Sequence, residues 1–277
     1  MAYSARVLLD SVSTLGVRLT TLEVTFPRFV LAEFNTHRQF SRNSSSSRAV
    51  PTAKLIERVE RDPVLPLEWG RNKAGMSASD LLADGEADAA QQVWLKARDD
   101  AVVHARELLR LDVHKQELNR ILEPFLWHTV IVSATEWDNF FELRCAPNAQ
   151  PEIREAALRL KNAMDESSPQ QLQHGDWHTP LLQPDEFSLE LQTRKEISVA
   201  RCARVSYLTH DGRRAIEKDL ELFGRLKAEH HLSPFEHVAT PAGDTAFHAN
   251  FRGWLQMRRE IEHSGKLQAS VPSTLES

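Results

Sequence analysis

Residues 36–48 read THRQFSRNSSSSR, and this stretch governs how the rest of the sequence is interpreted. A run of serines is most often a flexible linker. Here it follows a phenylalanine-rich segment and is accompanied by one histidine and three arginines. Serine hydroxyls, exposed backbone N–H groups and arginine forks on one short loop are groups that bind phosphate. The stretch therefore predicts an anion site, with a solvated linker as the alternative.

The segments around this stretch carry periodic patterns. Residues 17–26 alternate apolar and polar side chains, which predicts a strand, and Pro27 then predicts the start of a helix over 27–40. The nearly continuous apolar run at 125–137 predicts a buried strand or a buried helix, which periodicity alone does not distinguish. Apolar stripes and flanking signals predict further helices at 89–122, 151–164, 212–229 and 250–263.

The composition is that of a globular chain of 277 residues, 41% apolar and 26% charged. No Pro-, Gly- or Ser-rich linker divides it, so we predict a single α+β (α/β) domain over 1–277. A net charge of −5 argues against a nucleic-acid polymer as partner. The absence of a long apolar run or a secretory leader predicts no membrane partner and a cytoplasmic location.

Most of the 34 basic residues are arginine. Arginine forks suit small anionic ligands, although a GC-rich genome would produce the same excess. Cys145 and Cys202 are too few for a disulfide framework or a cysteine-rich zinc site, and neighbouring arginines leave an activated thiol as an alternative. HGDWHTP at 174–180 lacks further metal ligands, so a turn with satisfied imidazoles is favoured and no metal site is predicted.

Two further strings have local structural interpretations. Ser233 and Glu236 have the spacing of a capping box around Pro234, which predicts the start of a helix. With histidines around it, such a helix N-terminus is also an anion or cofactor site. Arg201 and Arg204 lie in the buried element at 197–207, which is interpreted as a basic strand.

Taken together, five separated strings resemble the flavin-dependent thymidylate synthases. The segment 36–48 is similar to the family signature RHRxxSxNxxSxR and matches it in register at His37, Arg38, Ser41, Asn43, Ser46 and Arg48. The other similar strings are RCARVS at 201–206, HLSPFEH at 231–237, NFFELRCAPNAQPEIR at 139–154 and, more loosely, NRILEP at 119–124. Five such strings in one chain argue against a chance match.

The order of these strings differs from that in familiar members, where the RCARVS-like and PFEH-like strings precede the signature. Here they follow it, which predicts a circular permutation with the new join within 151–197. Permutation is tolerated when the termini lie close together on the surface. The segment 247–260 resembles the aromatic helix that leads to the signature, as a degenerate second copy. The resemblance implies long helices around a small antiparallel sheet.

The resemblance also implies an enzyme, a methyltransferase that converts dUMP to dTMP. Methylenetetrahydrofolate would supply the carbon, reduced FAD the hydride, and NADPH the electrons for the flavin. The family needs no cysteine nucleophile, and its sites lie between the subunits of a homotetramer. The protein's share of the work is then binding, orientation and charge stabilisation.

Residues carried over from the family motifs divide into two sets. Ser46, Ser47 and Arg48 would form the loop for the nucleotide phosphate, with Arg120 also at the nucleotide. Arg144 would be the catalytic residue, facing the pyrimidine ring and stabilising negative charge on its carbonyls. The implied FAD site comprises His37, Arg38, Asn43, Asn139, Ser206, His231, Ser233 and Glu236.

Thr36, Ser44, Ala49 and Asn148 depart from the family pattern at positions of the flavin or nucleotide pocket. Two alternatives therefore stay open. One is flavin- and folate-dependent C5 modification of another pyrimidine nucleotide, giving hydroxymethyl-dUMP or acting on dCMP. The other is a catalytically silent flavin- or nucleotide-binding paralogue.

Overall fold

The computed structural model describes residues 2–75, 78, 80–205 and 215–269. Its strands are β1 (Ser4–Ser13), β2 (Arg18–Pro27), β3 (Ser41–Ser44), β4 (Trp127–Ala134), β5 (Gln170–Leu172), β6 (Ala239–Pro241), β7 (Phe247–His248), β8 (Phe251–Arg252) and β9 (Trp254–Gln256). Its α-helices are α1 (Leu31–Asn35), α2 (Thr52–Arg61), α3 (Asp84–Arg110), α4 (Lys115–Leu118), α5 (Asp138–Arg144), α6 (Pro151–Asp165), α7 (Leu191–Ala203), α8 (Ile216–Ala228) and α9 (Met257–Ala269). Single 3-10 turns lie at Arg28–Val30, Asn119–Phe125, Pro184–Ser188 and Ser233–Glu236.

The central sheet has five strands in the order β3–β4–β2–β1–β5. The first four strands pair antiparallel, whereas β5 joins the edge of β1 in parallel. The α+β class is confirmed, but the prediction of a purely antiparallel sheet is wrong at this edge. The chain returns to β1 by a long crossover that includes α6, and a crossover connection of this kind places strands in parallel.

The strand predicted at 17–26 is confirmed as β2, and the ambiguous run at 125–137 forms β4. Val130, Ile131 and Val132 of β4 are all fully buried, because β4 has a strand on each side and is covered on both faces. Such strands have continuous apolar sequences rather than alternating ones. β1 is not predicted, and the irregular pairing between Val7 and Leu9 explains why its alternation is weak.

The helix predicted at 151–164 is confirmed as α6, which packs its apolar face against β1 and β2. Phe34, Phe40 and Phe140 extend this core, with ring centroids 5.1 to 5.7 Å apart. Aromatic rings at these distances pack favourably in edge-on arrangements. The cluster therefore fixes α1, α5 and the start of the 36–48 segment on one rigid base.

The long helix predicted at 89–122 is shifted toward the N-terminus as α3. It ends at Arg110, and α4 and the turn Asn119–Phe125 complete the stretch. Val102 and Ala105 of α3 pack with Leu55 and Val59 of α2 in a second apolar cluster. Of the helices in the described ranges, none combines the length and the apolar character needed to cross a bilayer.

Three other predicted elements differ in the structure. The helix predicted at 27–40 shrinks to a 3-10 turn and α1, ending at Asn35. The basic strand predicted at 197–207 is wrong, since α7 runs to Ala203 with its arginines on helical turns. The helix predicted at 250–263 begins only at Met257. Gly253, with φ at 68°, makes a tight turn before β9, where an added Cβ would lie 2.9 Å from a carbonyl oxygen.

A buried ion cluster joins α7 to α8 and to the turn at Pro184–Ser188. Arg201, only 1% exposed, donates to both carboxylate oxygens of Glu186 at 2.6 Å and to Asp219 at 3.0 Å. Arg204 pairs with the second oxygen of Asp219. Because both carboxylates are buried, the cluster depends on Arg201 for its balance of charge.

We expect Arg201→Ala to lower the free energy of unfolding by about 3–5 kcal/mol, because it leaves two buried carboxylates without their shared partner. Denaturant unfolding followed by circular dichroism measures this change. The matched control is Arg6→Ala, which removes an exposed pair with Glu23 and should cost less than about 1 kcal/mol. Equal destabilisation by the two variants would contradict the assigned role of the cluster.

Candidate active site

The 36–48 segment runs from the end of α1, through the edge strand β3, into a loop that precedes α2. β3 pairs with β4, so that Ser41 lies opposite Ser133 and Asn43 opposite Ile131. Ser45 continues the contact through its backbone N–H, which donates to the Thr129 carbonyl at 2.9 Å. The segment is thus an ordered sheet edge, and the flexible-linker alternative is wrong for it.

The HLSPFEH string packs directly against β3, although about 190 residues separate the two in sequence. Ser41 Oγ donates to Glu236 Oε2 at 2.7 Å, and Asn43 Nδ2 donates to Ser233 Oγ at 3.2 Å. His237 Nε2 lies 3.0 Å from Asn43 Oδ1. The structure therefore brings together Asn43, Ser233 and Glu236, three of the residues expected to form one site.

The predicted capping box at 233–236 is wrong. Ser233–Glu236 is a single 3-10 turn whose N-cap is Leu232, and no side chain caps it. The side chains of Ser233 and Glu236 bond β3 instead, so the polar groups that would cap a helix serve a tertiary contact. The same spacing of residues fits both uses, which is why sequence alone favoured the local one.

Residues 247–258, which comprise β7, β8, β9 and the first two residues of α9 and are here called the C-terminal hairpin, close the same region from the other side. Asn250 Nδ2 donates to the Gln39 carbonyl and to Ser41 Oγ, at 2.9 and 3.0 Å. Gln256 Nε2 also donates to Ser41 Oγ, and Arg258 donates to Glu236 Oε1 at 2.6 Å. None of these hairpin residues was expected at the site. The one available signal was the likeness of 247–260 to the segment that precedes the signature.

A cavity of about 640 Å³ lies between β3 and this hairpin. Four arginines line it together with two glutamates, Glu236 and Glu262, which both pair with Arg258, so the arginines outnumber the carboxylates by two. Arg42 forms no ion pair within the described residues; burial lowers its pKa, opposed by the carboxylate of Glu236. Excess positive charge in a concave, half-buried surface favours an anionic ligand. The four arginines are Arg38, Arg42, Arg258 and Arg259.

Arg144, the last residue of α5, contacts His37 near the start of the 36–48 segment. Arg144 Nε donates to His37 Nε2 at 3.0 Å, and its terminal nitrogen donates to Thr36 Oγ1 at 3.1 Å. Burial, together with the charges of Arg144 and Arg42, lowers the pKa of His37 to about 4. A neutral imidazole nitrogen is an acceptor, so His37 holds the guanidinium of Arg144 in place. Arg144 does not line the arginine-lined cavity, nor the second cavity described next.

A second cavity, of about 250 Å³, lies at the other end of β3. Ser45, Ser46 and Ser47 line it, as the phosphate-loop prediction requires for Ser46 and Ser47. Its basic side chains come from residues that were not predicted: Arg28, Arg58, Arg61 and His128. These arginines stand outside the strings that resemble the family, so no motif marked them.

Glu123 organises the serine end of this cavity. Ser47 Oγ and Arg120 each donate to Glu123 Oε1 at 2.7 Å, and Arg28 lies 3.0 Å from it. Burial acts to raise the pKa of Glu123, but these hydrogen bonds and the charge of Arg28 outweigh it, and the pKa is lowered. Arg120 thus lies beside Ser47, whereas Arg48 is exposed and does not line the cavity.

The other predicted cofactor residues are not gathered at these cavities. Asn139 on α5 and His231 before the 3-10 turn are exposed and line neither of them. Ser206 lies outside the described residues, so its predicted role has no structural counterpart here. These three assignments stay predictions.

The cysteines and the HGDWHTP string have ordinary environments. Burial raises the pKa of both thiols, so neither is activated by its arginine neighbours. His178 is fully buried with both ring nitrogens within 2.8 Å of hydroxyl oxygens, which confirms a satisfied imidazole. In the described ranges, no three His, Cys, Asp or Glu side chains are grouped as for a metal ion.

Burial, together with the charge of Arg28 and against that of Glu123, lowers the pKa of His128 to about 3. The unfolded chain therefore binds a proton below its pKa of about 6.5 that the folded protein does not bind, and stability falls as pH falls from there toward 3. We expect His128→Phe to reduce this slope by roughly 1 kcal/mol per pH unit between pH 6 and 5. Urea unfolding at several pH values measures the slope. The control His104→Phe, at an exposed position, should keep the wild-type slope, and an unchanged slope in His128→Phe would contradict a buried neutral imidazole.

Comparison with known proteins places this geometry in context. Residues 11–170 match the family model described as "Thymidylate synthase complementing protein", Thy1. A comparison with curated protein sequences finds no match. Similar solved structures include the UMP/dUMP methylase PolB from Streptomyces cacaoi bound with 5-Br UMP, at 16% identity and TM-score 0.48, covering 60% of this chain and 89% of that one. The same methylase bound with 5-Br dUMP gives 14% identity and TM-score 0.49, covering 60% and 90%.

The family match includes the signature at 36–48 and the string at 139–154, and it ends before RCARVS and HLSPFEH. The circular permutation therefore stays a prediction. Because the match covers more than half of the chain, it establishes the family. The chain belongs to the Thy1, or thymidylate synthase complementing protein, family and is an enzyme of that family.

Proposed function

We propose that this enzyme methylates dUMP at C5 to give dTMP, with methylenetetrahydrofolate as carbon donor, FAD as cofactor and NADPH as reductant. One observation carries the proposal: the signature segment has a serine-lined cavity at one end and an arginine-lined cavity at the other. Two ligands bound at the two ends of one short strand would be neighbours. That is the arrangement a transfer reaction between a nucleotide and a cofactor needs.

The smaller cavity is proposed to take the nucleotide phosphate. Ser46 and Ser47 supply hydroxyl groups there, and Arg28 and Arg58 supply positive charge. Glu123 fixes the hydroxyl of Ser47 and gathers Arg28 and Arg120 beside it. Together these residues can bind and orient a phosphate monoester. Arg48, exposed on the same loop, is proposed to complete the site when the ligand or a second subunit covers it.

The larger cavity fits FAD by the chemistry of its donors. Arg38, Arg42, Arg258 and Arg259 offer guanidinium groups to a pyrophosphate. Glu236, which is bonded to Ser41, also lines the cavity, whereas Asn43 follows Arg42 on β3 and does not line it. FAD supplies, when bound, the hydride-carrying ring that the protein lacks. The chain's own part is to hold an anion and to fix the carboxylate of Glu236 through Ser41 and Arg258.

Arg144 is proposed to stabilise negative charge on the pyrimidine carbonyls. His37 accepts from its Nε, which leaves the terminal nitrogens to act as donors in a fixed direction. Arg144 lines neither cavity within one chain, so this role requires a second copy of the chain to complete the site. The proposal therefore includes a homotetramer with sites between subunits.

The alternatives are modification of another pyrimidine nucleotide, as hydroxymethyl-dUMP or with dCMP, and silent binding. Thr36, Ser44 and Asn148 depart from the family pattern and are exposed. The experiment therefore tests both alternatives as well. The alternative of another pyrimidine nucleotide keeps enzymatic activity and differs only in the nucleotide that is converted or formed. Silent binding would keep the ligand sites but show no turnover.

The first experiment is the visible absorbance spectrum of the purified protein, before and after addition of dUMP or dCMP. We expect flavin bands that shift with dUMP, because the proposed nucleotide and flavin sites border one strand. dCMP is not the proposed substrate and should leave the bands unchanged. Turnover is then followed as dTMP formed in the presence of NADPH and methylenetetrahydrofolate. A protein that stays colourless after incubation with FAD would contradict the proposed function, and a shift with dCMP alone would redirect it to that nucleotide.

Arg144→Ala is expected to lower kcat by about 10²–10³-fold, the usual cost of removing one donor to a developing negative charge. Flavin absorbance should stay largely intact, because Arg144 does not line the arginine cavity. The control is Arg159→Ala, which removes a half-exposed arginine paired with Glu155 on α6 and should keep wild-type turnover. Full activity in Arg144→Ala would remove its catalytic assignment.

A further inference from the structure

A continuous line of polar side chains crosses the buried centre of the sheet. It begins near the HGDWHTP string, which the proposed function does not use, and ends at the signature asparagine. Each member contacts the next within hydrogen-bond distance, and all but the last are buried. The line consists, in order, of Ser11, His178, Thr21, Ser133, His237 and Asn43.

The first half of the line joins β1, the HGDWHTP string and β2. Ser11 Oγ lies 2.8 Å from His178 Nδ1, and His178 Nε2 lies 2.8 Å from Thr21 Oγ1. The second half joins β2, β4 and the HLSPFEH string. Thr21 Oγ1 lies 2.5 Å from Ser133 Oγ, which lies 2.8 Å from His237 Nδ1. His237 Nε2 then reaches Asn43 Oδ1 at 3.0 Å.

The asparagine fixes the direction of every bond in the line. Its Nδ2 donates to Ser233 Oγ, so its Oδ1 accepts a proton from His237 Nε2. His237 Nδ1 must then accept from Ser133, Ser133 must accept from Thr21, and Thr21 must accept from His178 Nε2. His178 Nδ1 finally accepts from Ser11. When all bonds of the line run in this direction, every hydrogen bond is made and both histidines are neutral rings protonated on Nε2.

Burial supports neutral histidines at both positions. It lowers the pKa of His237 to about 3. It also lowers the pKa of His178 to about 3, where the charge of Asp10 opposes the shift and His237 reinforces it. Neutral rings can donate on one nitrogen and accept on the other, which a chain of single direction requires.

Backbone hydrogen bonds fix the positions of the two histidines relative to each other. The His178 N–H donates to the Ala239 carbonyl at 2.8 Å, and the Ala239 N–H returns a bond to the His178 carbonyl at 3.3 Å. Ala239 stands two residues after His237, so the HGDWHTP string and the HLSPFEH string are anchored to each other. The ring of Trp254 packs edge-on against His178, with centroids 6.2 Å apart.

We propose that His178 and His237 are positioning residues, which act through Thr21 and Ser133 to hold the side-chain amide of Asn43 in one orientation for the flavin. This inference rests on the proposed function only in naming flavin as the ligand of Asn43. With its oxygen held by His237 and one N–H donated to Ser233 Oγ, Asn43 has one further side-chain N–H to offer a ligand. A flipped amide would require every bond of the line to reverse and both imidazoles to be protonated on Nδ1, so the orientation of the Asn43 amide is coupled to the protonation of His178 and His237.

The test compares two buried threonines of β2. Thr21→Val breaks the line in its middle, whereas Thr25→Val removes an equivalent hydroxyl pair with Thr129, at 2.9 Å, that is not part of the line. Thr21→Ser restores a hydroxyl and serves as the rescue. The first readout is the NMR spectrum of ligand-free protein labelled with ¹⁵N on histidine and asparagine side chains, assigned with Asn43→Asp, His178→Phe and His237→Phe.

We expect both imidazoles of the wild type to be neutral and protonated on Nε2. Thr21→Val should shift the side-chain amide signals of Asn43 and weaken FAD binding by about tenfold, as expected for one lost buried hydrogen bond. Thr25→Val should leave both unchanged, and Thr21→Ser should restore both. FAD affinity is measured by titration of flavin fluorescence.

Three results would overturn the inference: an Nδ1-protonated imidazole at either histidine, an unmoved Asn43 amide in folded Thr21→Val, or equal effects of Thr21→Val and Thr25→Val. Failure of the proposed function would look different, since the wild type itself would then bind no FAD. In that case the NMR readouts, which need no ligand, still support or overturn the positioning of Asn43.

Discussion

The pairing of β4 with both of its neighbours is the constraint on which the site depends. Ser133 on β4 lies opposite Thr21 on one side and opposite Ser41 on the other. A slip of one residue in either pairing would turn Ser41 and Asn43 to the opposite face of the sheet. Two buried hydroxyl pairs between β2 and β4, Thr21 with Ser133 and Thr25 with Thr129, hold this register, because a slip of one residue would leave their hydroxyls without partners. The edge strand β3 inherits its orientation from that register.

On this edge, residues far apart in the chain become one site. β3 receives Ser233, Glu236 and His237 from one segment and Asn250 and Gln256 from the next, and Arg258 of that second segment bonds Glu236. Each contact is a side-chain hydrogen bond of good length, so the C-terminal segment is bound by specific polar groups as well as by its apolar cluster.

The arginines of this protein serve two roles, one structural and one at the candidate site. Arg201, buried and fully paired with Glu186 and Asp219, is structural. Arg42, half-buried and without an ion pair in the described part of the chain, keeps charge available for a ligand. The thiols are kept protonated by burial, and His37 is kept neutral as an acceptor. The site therefore offers fixed charge and hydrogen-bond donors, which suits chemistry carried by a bound cofactor.

The sequence by itself determined the family, β2, α6 and the burial of 125–137, because motif strings and local periodicity are written in consecutive residues. It did not determine the direction of β5 or the role of Ser233 and Glu236, whose spacing satisfies a helix cap as well as a tertiary contact. Arg28, Arg258 and the line from His178 to Asn43 were decided only in the tertiary structure. Their partners lie about 20 to 200 residues away, and only the sheet register brings a hydroxyl of one strand within 3 Å of the next.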